Sequence, residues 1–418
     1  MSMSFKPFDK LRVSGLFWLA VITILAFAIR AWRISEPPLQ IFDEVYYPRY
    51  AREYLSGGSP FDAHPPAGRL IITAGAYLLG DRPLGWRLAP LVFGTLLVPL
   101  SYLVAKLLFG SKRAGLIAAL LVTFEGMFFV YSRTGLIDIF LAFFILLTLA
   151  LALIARNSPL FHLGSGISLG IAASVKWVGI GIWPVLVVLA AKSLKKRGLL
   201  KQLGLLAASL IIVPALVYSF IFILEPGHQP VIWQDIKNWH THTWRYHINL
   251  RETRTYNSRW YQWPLLTKPI HFWNETKNGQ RTTIIGLGNP LVWWGSTLAV
   301  IGSISYLVWL GVKRKLSIAK HFGLTIALAS YLVLLVPWAF VKRGLFIFHY
   351  LPSLVFAILI LSYWLDKALQ HKKIRKPVVG FLILVVIAFF YFYPILSGLP
   401  ISAQAFEHRM WFKLWATN

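Results

Sequence analysis

Eleven apolar runs, most of them close to the length of a bilayer-crossing helix, follow one another along this 418-residue chain, with Lys and Arg clustered between them. About 20 apolar residues in a helix cross the roughly 30 Å hydrocarbon layer. A water-soluble domain cannot bury that many such runs and still keep a polar surface. Only 14% of the residues are charged and 57% are hydrophobic, which excludes a soluble globular chain and a disordered one. The 18 Trp residues suit aromatic belts at the two membrane interfaces. With no Cys, there is no disulfide, thiolate metal site or Cys nucleophile. Backbone polar groups must be satisfied within lipid, so the chain reads as an all-α polytopic membrane protein.

The formal net charge of +27 raises nucleic acid as a partner, but the distribution of the charge answers against it. The cations sit in short clusters between spans, the pattern of positive-inside anchoring to anionic lipid. No signal-peptide cleavage site is apparent, and the first run, Gly15 to Ile34, follows a tail carrying Lys6, Lys10 and Arg12. It is expected to be retained as a helix, with the N-terminus cytoplasmic. The remaining spans are expected near 85–109, 114–132, 138–155, 162–176, 178–191, 202–224, 289–311, 322–341, 345–365 and 378–396. Leu70–Gly80 is too short to cross and is expected to lie on the membrane surface. That choice puts Lys112/Arg113, Lys192/Lys195/Lys196/Arg197, Lys313/Arg314/Lys315 and Lys372/Lys373/Arg375/Lys376 all inside. Eleven spans then leave the C-terminus external.

Three regions follow. Residues 1–224 form a transmembrane module with a large external loop at 35–84. Residues 225–288 form a second external loop, and 289–418 a C-terminal module of four spans. Short external turns fall near Arg133–Asp138, Lys176–Gly179 and Lys342–Gly344.

Of only 15 acidic residues, Asp43 and Glu44 are adjacent, just past the first span. A carboxylate at the outer face is suited to take a proton from a substrate hydroxyl; an interfacial ion pair with Arg49 or Arg52 is the plainer alternative. The stretch YYPRYAREYL reads as an amphipathic surface helix. His64-Pro65-Pro66 is a rigid turn able to hold His64 near Asp43. Arg30, Arg33, Arg87, Arg133 and Lys176 lie at or inside apolar runs, where a charge is costly unless paired or wet. Snorkelling accounts for Arg33. The others, with Asp138, gather toward the expected outer face beside Asp43 and call for an anionic ligand such as a lipid-linked phosphate. His240, His242 and His247 in the second loop lack a zinc signature of the H-E-x-x-H kind, so no metal site is expected. Asn274-Glu275-Thr276 matches the glycosylation acceptor pattern, a motif of low specificity.

Several segments, in order, resemble the protein O-mannosyltransferase family in its short prokaryotic form. They are FDEVYYPRYAREYLSG with FDAHPPAGRL, then GWRLAPLVFGTLLVPLSYLVAKLLFG, FEGMFFVYSRTGLIDIFLAFF, GIAASVKWVG, YNSRWYQWPLL and FIFHYLPSLVFA. The resemblance implies a membrane-embedded glycosyltransferase of the GT-C fold with eleven spans. It would move mannose, with inversion, from a polyprenyl-phosphate carrier to Ser or Thr of exported proteins. Asp43 then corresponds to the catalytic acidic residue of the pair, with Glu44 supporting it. Arg30, Arg87, Arg133, Asp138 and Lys176 correspond to donor-binding positions, and His64, His247, Arg259 and His349 to acceptor-binding or supporting ones. The second loop has no inserted MIR domain, which points to a bacterial plasma-membrane enzyme acting on the extracytoplasmic side. Where the family usually has His-Pro-Tyr before its Ser-Arg-Trp element, this chain has Arg254-Thr255-Tyr256.

The chemistry needs neither metal nor other cofactor, because a polyprenyl phosphate is already a good leaving group and cations can stabilise its charge. The main rival is a transferase of the same fold carrying aminoarabinose or another sugar to a lipid or glycan. A transporter is disfavoured by the absence of repeat symmetry and of broken midplane helices. The topology makes a direct prediction. Accessibility tags at Ser59 and Asp81 both report as external, and a cytoplasmic signal at Asp81 reverses every later span.

Overall fold

Apolar runs without internal polar partners satisfy their backbone locally, and the chain does so as a succession of helices. The computed structural model describes residues 15–155, 162–192, 194, 198–226, 232–250, 254–317 and 319–416. The basic tail with Lys6, Lys10 and Arg12 lies outside the described residues, as do Lys195, Lys196 and Arg197 of the basic cluster.

In chain order the helices begin with α1 (Gly15–Ala31), α2 (Tyr47–Leu55), α3 (Ala67–Leu79), α4 (Pro83–Phe109), α5 (Lys112–Thr123) and α6 (Gly126–Tyr131). They continue with α7 (Asp138–Ala155), α8 (His162–Val175), α9 (Trp183–Ala191), α10 (Leu199–Ala207), α11 (Val213–Ile223) and α12 (Ile232–Asn249). Last come α13 (Pro290–Val312), α14 (Phe322–Leu335), α15 (Leu351–Leu369) and α16 (Lys372–Ser397). Among the described residues, 7 helices are long and apolar enough to cross a membrane. Gly15–Ala31, Ala67–Leu79, His162–Val175 and Trp177–Ala191 are apolar but shorter. α7 and α15 stand at the centre, with 78% of their apolar windows buried, whereas α13 and α16 turn outward with 22% and 28%. That outward apolar surface is what lipid would cover.

The run expected as one span over 114–132 is instead two helices. Glu125 interrupts it, and its carboxylate accepts from the backbone N–H of Phe128 at 2.7 Å and of Asn289 at 3.2 Å. A carboxylate inside an apolar run needs donors, and breaking the helix supplies them as an N-cap. Asn289 in turn donates to Phe124 O and Val385 O, which ties this break to α16.

The chain is not wholly helical. Strands β1 (Ile270–Lys277) and β2 (Gln280–Gly286) form an antiparallel hairpin, and a short β3 (Ile401–Ser402) pairs with β2. The connecting Asn278 and Gly279 have φ of 52° and 72°, the conformation that Asn-Gly adopts in two-residue hairpin turns.

α4 passes close to the segment that follows α6. A Cβ on Gly94 would lie 1.9 Å from Ser132 Oγ, so only glycine allows this approach. Ser132 is itself engaged, accepting from Arg30 Nε at 3.3 Å. Gly94→Ala is therefore expected to cost about 1–3 kcal/mol by overpacking. The measurement is a lowered unfolding temperature of the purified protein in detergent; an unchanged one would show that the α4 contact is slack.

Candidate active site

The loop after α1 is shaped by a strained turn. Phe42 has φ 50°, a left-handed conformation costly for a bulky residue. It is held there by stacking on Phe272 of β1 at 4.6 Å and by an edge contact with Tyr256 at 6.2 Å. The next two residues, Asp43 and Glu44, part company from this point.

Glu44 is fully buried. It accepts from Arg87 Nε and Nη2 at 2.8 Å each, from Gly135 N at 2.6 Å and from Ile41 N at 3.1 Å. Arg87 spends its remaining N–H groups on Ile34 O, Pro37 O and Leu39 O at 3.0 Å. The ion pair that the sequence offered to Arg49 or Arg52 is absent, because those residues pair with Glu53 and Asp81 on the surface. Arg87 has the role instead.

Arg30 and Arg133 are likewise enclosed. Arg30 donates to Ala26 O, Thr123 O, Val122 O and Ser132 Oγ. Arg133 donates to Arg30 O and Trp32 O at 2.5 Å and to Arg33 O at 3.0 Å, capping the carbonyl end of α1. The gathering of Arg30, Arg87 and Arg133 around an anionic ligand is thus not what the structure builds. Their donors face protein carbonyls, Ser132 and Glu44, and none of the three lines the pocket described next.

Asp43 differs from Glu44 in every respect. It is half-buried, and among the described residues its carboxylate has no hydrogen-bond or ion-pair partner. Burial pushes its carboxyl up to about 6; Lys176 pulls it down, while Asp138 and Asp62 push it further up. The sequence led us to expect arginine neighbours favouring the ionised form. Burial outweighs them.

Asp138 and Lys176, from the start of α7 and the end of α8, pair at 2.7 Å. Both line a cavity of about 570 Å³ together with His64, His247, His349 and Arg343. Its other wall is apolar, with Trp244, Ile248, Trp338 and Phe340 among its side chains. α12 clamps the first loop against this cavity. Trp239 Nε1 donates to Asp62 O at 3.0 Å, and the His247 ring bonds Ala63 O at 3.2 Å. His64 therefore faces His247, with ring centroids 6.3 Å apart, and burial holds its imidazole well below the usual range. His349 stacks on Trp263 and bonds Phe346 O at 2.9 Å. Arg259 stands apart, exposed at the N-cap of the turn over Trp260–Leu265. His240 bonds Tyr218 Oη at 2.9 Å and His242 stacks on Phe61 at 4.4 Å. Among the described residues no group of three or more His, Asp or Glu converges as metal ligands.

Two features escaped the sequence. Arg69 pairs with Glu225 and Tyr54, joining α2 and α3 to the chain after α11. Arg343 lines the pocket from the turn before α15. Its signal was present, since Lys342-Arg343 is a basic pair on the side that the positive-inside rule leaves poor in cations.

Two family models cover most of the chain. The one described as dolichyl-phosphate-mannose-protein mannosyltransferase matches residues 20–226. The one described as the C-terminal four TMM region of protein-O-mannosyltransferase matches residues 232–415. A polyprenol-phosphate-mannose–protein mannosyltransferase of Mycolicibacterium smegmatis is 26% identical, covering 98% of this chain and 94% of its own length. The S. cerevisiae Pmt1–Pmt2 protein O-mannosyltransferase complex bound to its sugar donor shares the fold. It has a TM-score of 0.86 at 16% identity and covers 100% of this chain and 94% of that one. ArnT of Cupriavidus metallidurans bound to undecaprenyl phosphate is more distant, with a TM-score of 0.58 at 17% identity, covering 84% of this chain and 60% of that one.

Glu44 makes a clear prediction. Its removal leaves Arg87 charged and enclosed, so Glu44→Ala is expected to cost about 3–5 kcal/mol. Activity should fall together with the amount of folded protein in the membrane. Wild-type yield and unfolding temperature would show that the carboxylate is not the anchor described.

Proposed function

This chain belongs to the dolichyl-phosphate-mannose–protein mannosyltransferase family, and we propose that it carries mannose from a polyprenyl phosphate to Ser or Thr hydroxyls of exported proteins, with Asp43 as the base. It is a multi-pass membrane glycosyltransferase of the GT-C fold. The reading places it in a bacterial plasma membrane, with eleven spans, the N-terminus inside and the site on the extracytoplasmic side. One observation carries the choice of base: Asp43 is a half-buried carboxylate without a partner among the described residues, within electrostatic reach of the Lys176–Asp138 pair in the pocket wall.

In the proposed step the acceptor hydroxyl oxygen attacks the anomeric carbon of mannose, and its proton passes to Asp43. The bond from that carbon to the phosphate oxygen breaks, and its electron pair leaves on the polyprenyl phosphate. Lys176 stabilises the departing charge, which is stronger in the transition state than in the bound donor. Asp138 holds the ammonium in place. The apolar wall with Trp244 and Ile248 suits the carrier's chain. His64, His247 and His349 support the site as neutral donors or acceptors. A transferase of the same fold acting on a lipid is the weaker reading, because its support is likeness of fold alone, at a lower TM-score.

The test uses protein in nanodiscs, polyprenyl-phosphate-mannose and a Ser/Thr peptide, with label followed into peptide and into lipid. Asp43→Asn is expected to lower turnover about 10²–10⁴-fold while the protein stays folded. A base must be ionised, so with its carboxyl near 6 the wild-type rate climbs through pH 6 and levels off above it. The sign for stability is the opposite one. A carboxyl raised in the folded state makes folding less favourable as pH rises through that range, so the Asn variant loses no stability there. Near-normal turnover in Asp43→Asn puts the base elsewhere, and label in lipid alone overturns the protein acceptor.

A further inference from the structure

The charges around the pocket do not balance. Lys176 is neutralised by Asp138 at 2.7 Å, whereas Arg343 has no hydrogen bond or ion pair among the described residues. An arginine at a pocket wall without a counter-ion is arranged for an anion that arrives from outside, since an idle guanidinium forgoes charged hydrogen bonds. The surface beside it is apolar and open. Phe340 is 81% exposed, Trp244 61% and Ile248 53%, and all three line the same cavity. One anionic group adjoining an apolar track is the outline of a lipid phosphate. By contrast, Arg30, Arg87 and Arg133 have their donors turned to protein acceptors.

We infer that Arg343 holds the phosphate of the lipid carrier by a two-pronged contact, with the carrier's chain leaving the pocket over Trp244, Ile248 and Phe340. This rests on the glycosyl-transfer reading above. The cation for the phosphate then comes from the turn before α15, and Lys176, tethered to Asp138, faces the breaking bond. Lysine at 343 is a poor substitute, because a point charge does not reproduce the planar fork on phosphate.

The experiment measures binding of a polyprenyl monophosphate and of the uncharged polyprenol to the full chain in phosphatidylcholine nanodiscs, by quenching of tryptophan emission. Arg343→Gln is expected to weaken polyprenyl phosphate about tenfold or more, and Arg343→Lys by less. Polyprenol binds all variants alike. Arg52→Gln, which removes a surface pair with Asp81, binds like the wild type. Because Arg343 has no hydrogen-bond partner to lose among the described residues, its variants are expected to keep the wild-type unfolding temperature. A second membrane containing phosphatidylglycerol separates the sources of phosphate, and displacement of the carrier by that lipid overturns the assignment. Unchanged carrier binding in Arg343→Gln, with mannosyl transfer intact, overturns the assignment alone. No transfer by the wild type overturns the reading on which it rests, and the assignment with it.

Discussion

The Glu44 carboxylate and the Arg87 guanidinium, facing each other at 2.8 Å with neither open to solvent, hold together the three parts from which the site is made. A buried pair adds little net stability, but each member leaves the other stranded if it is lost. The geometry responds by using every lone pair and N–H. Arg87 fastens the carbonyls of Ile34, Pro37 and Leu39, and Glu44 takes the N–H of Ile41 and Gly135. The end of α1, the start of α4 and the turn before α7 are thereby fixed to one another. Asp138 begins α7, so the pocket's ion pair inherits its position from this junction.

The same requirement explains the other arginines. Carbonyls at the end of a helix have no intrahelical donors, and inside lipid there is little water to serve instead. Arg133 meets that need at the end of α1, and Arg30 meets it for Val122 and Thr123 at the end of α5. Both arginines thus have a structural task in which each guanidinium is bonded to protein acceptors.

That distinction sets the limit of what the sequence discloses. The apolar runs gave the helices, because length and hydropathy are local properties; α4, α7 and α13 to α16 lie where the runs predict them. The sequence also singles out Asp43, Lys176, Asp138, His64, His247 and His349, of which all but Asp43 line the pocket. It cannot say whether an arginine in an apolar run is satisfied by a ligand or by a carbonyl, since the carbonyls come from residues about a hundred positions away. Two further local signals are legible in the sequence. Glu125 in an apolar run foretells the break between α5 and α6, and Asn278-Gly279 between alternating residues foretells the hairpin. Arg343 was visible only as an exception to the charge rule.

Adjacent acids with opposite duties are the consequence of one turn. The stack of Phe42 on Phe272 holds a backbone conformation that few side chains adopt unaided, and successive residues there point apart. Glu44 is driven inward to Arg87, where four hydrogen bonds occupy its two oxygens. Asp43 is left half-buried with no donor among the described residues, and burial raises its carboxyl to about 6. A fully solvated carboxylate would be ionised but a weak base; one enclosed like Glu44 would have no free lone pair for a hydroxyl proton. Partial burial without a partner meets both requirements: at neutral pH the group is charged, and its basicity is close to the best that a carboxylate can offer there. On the proposed reading, the turn at Phe42 separates the acid that builds the site from the acid assigned as its base.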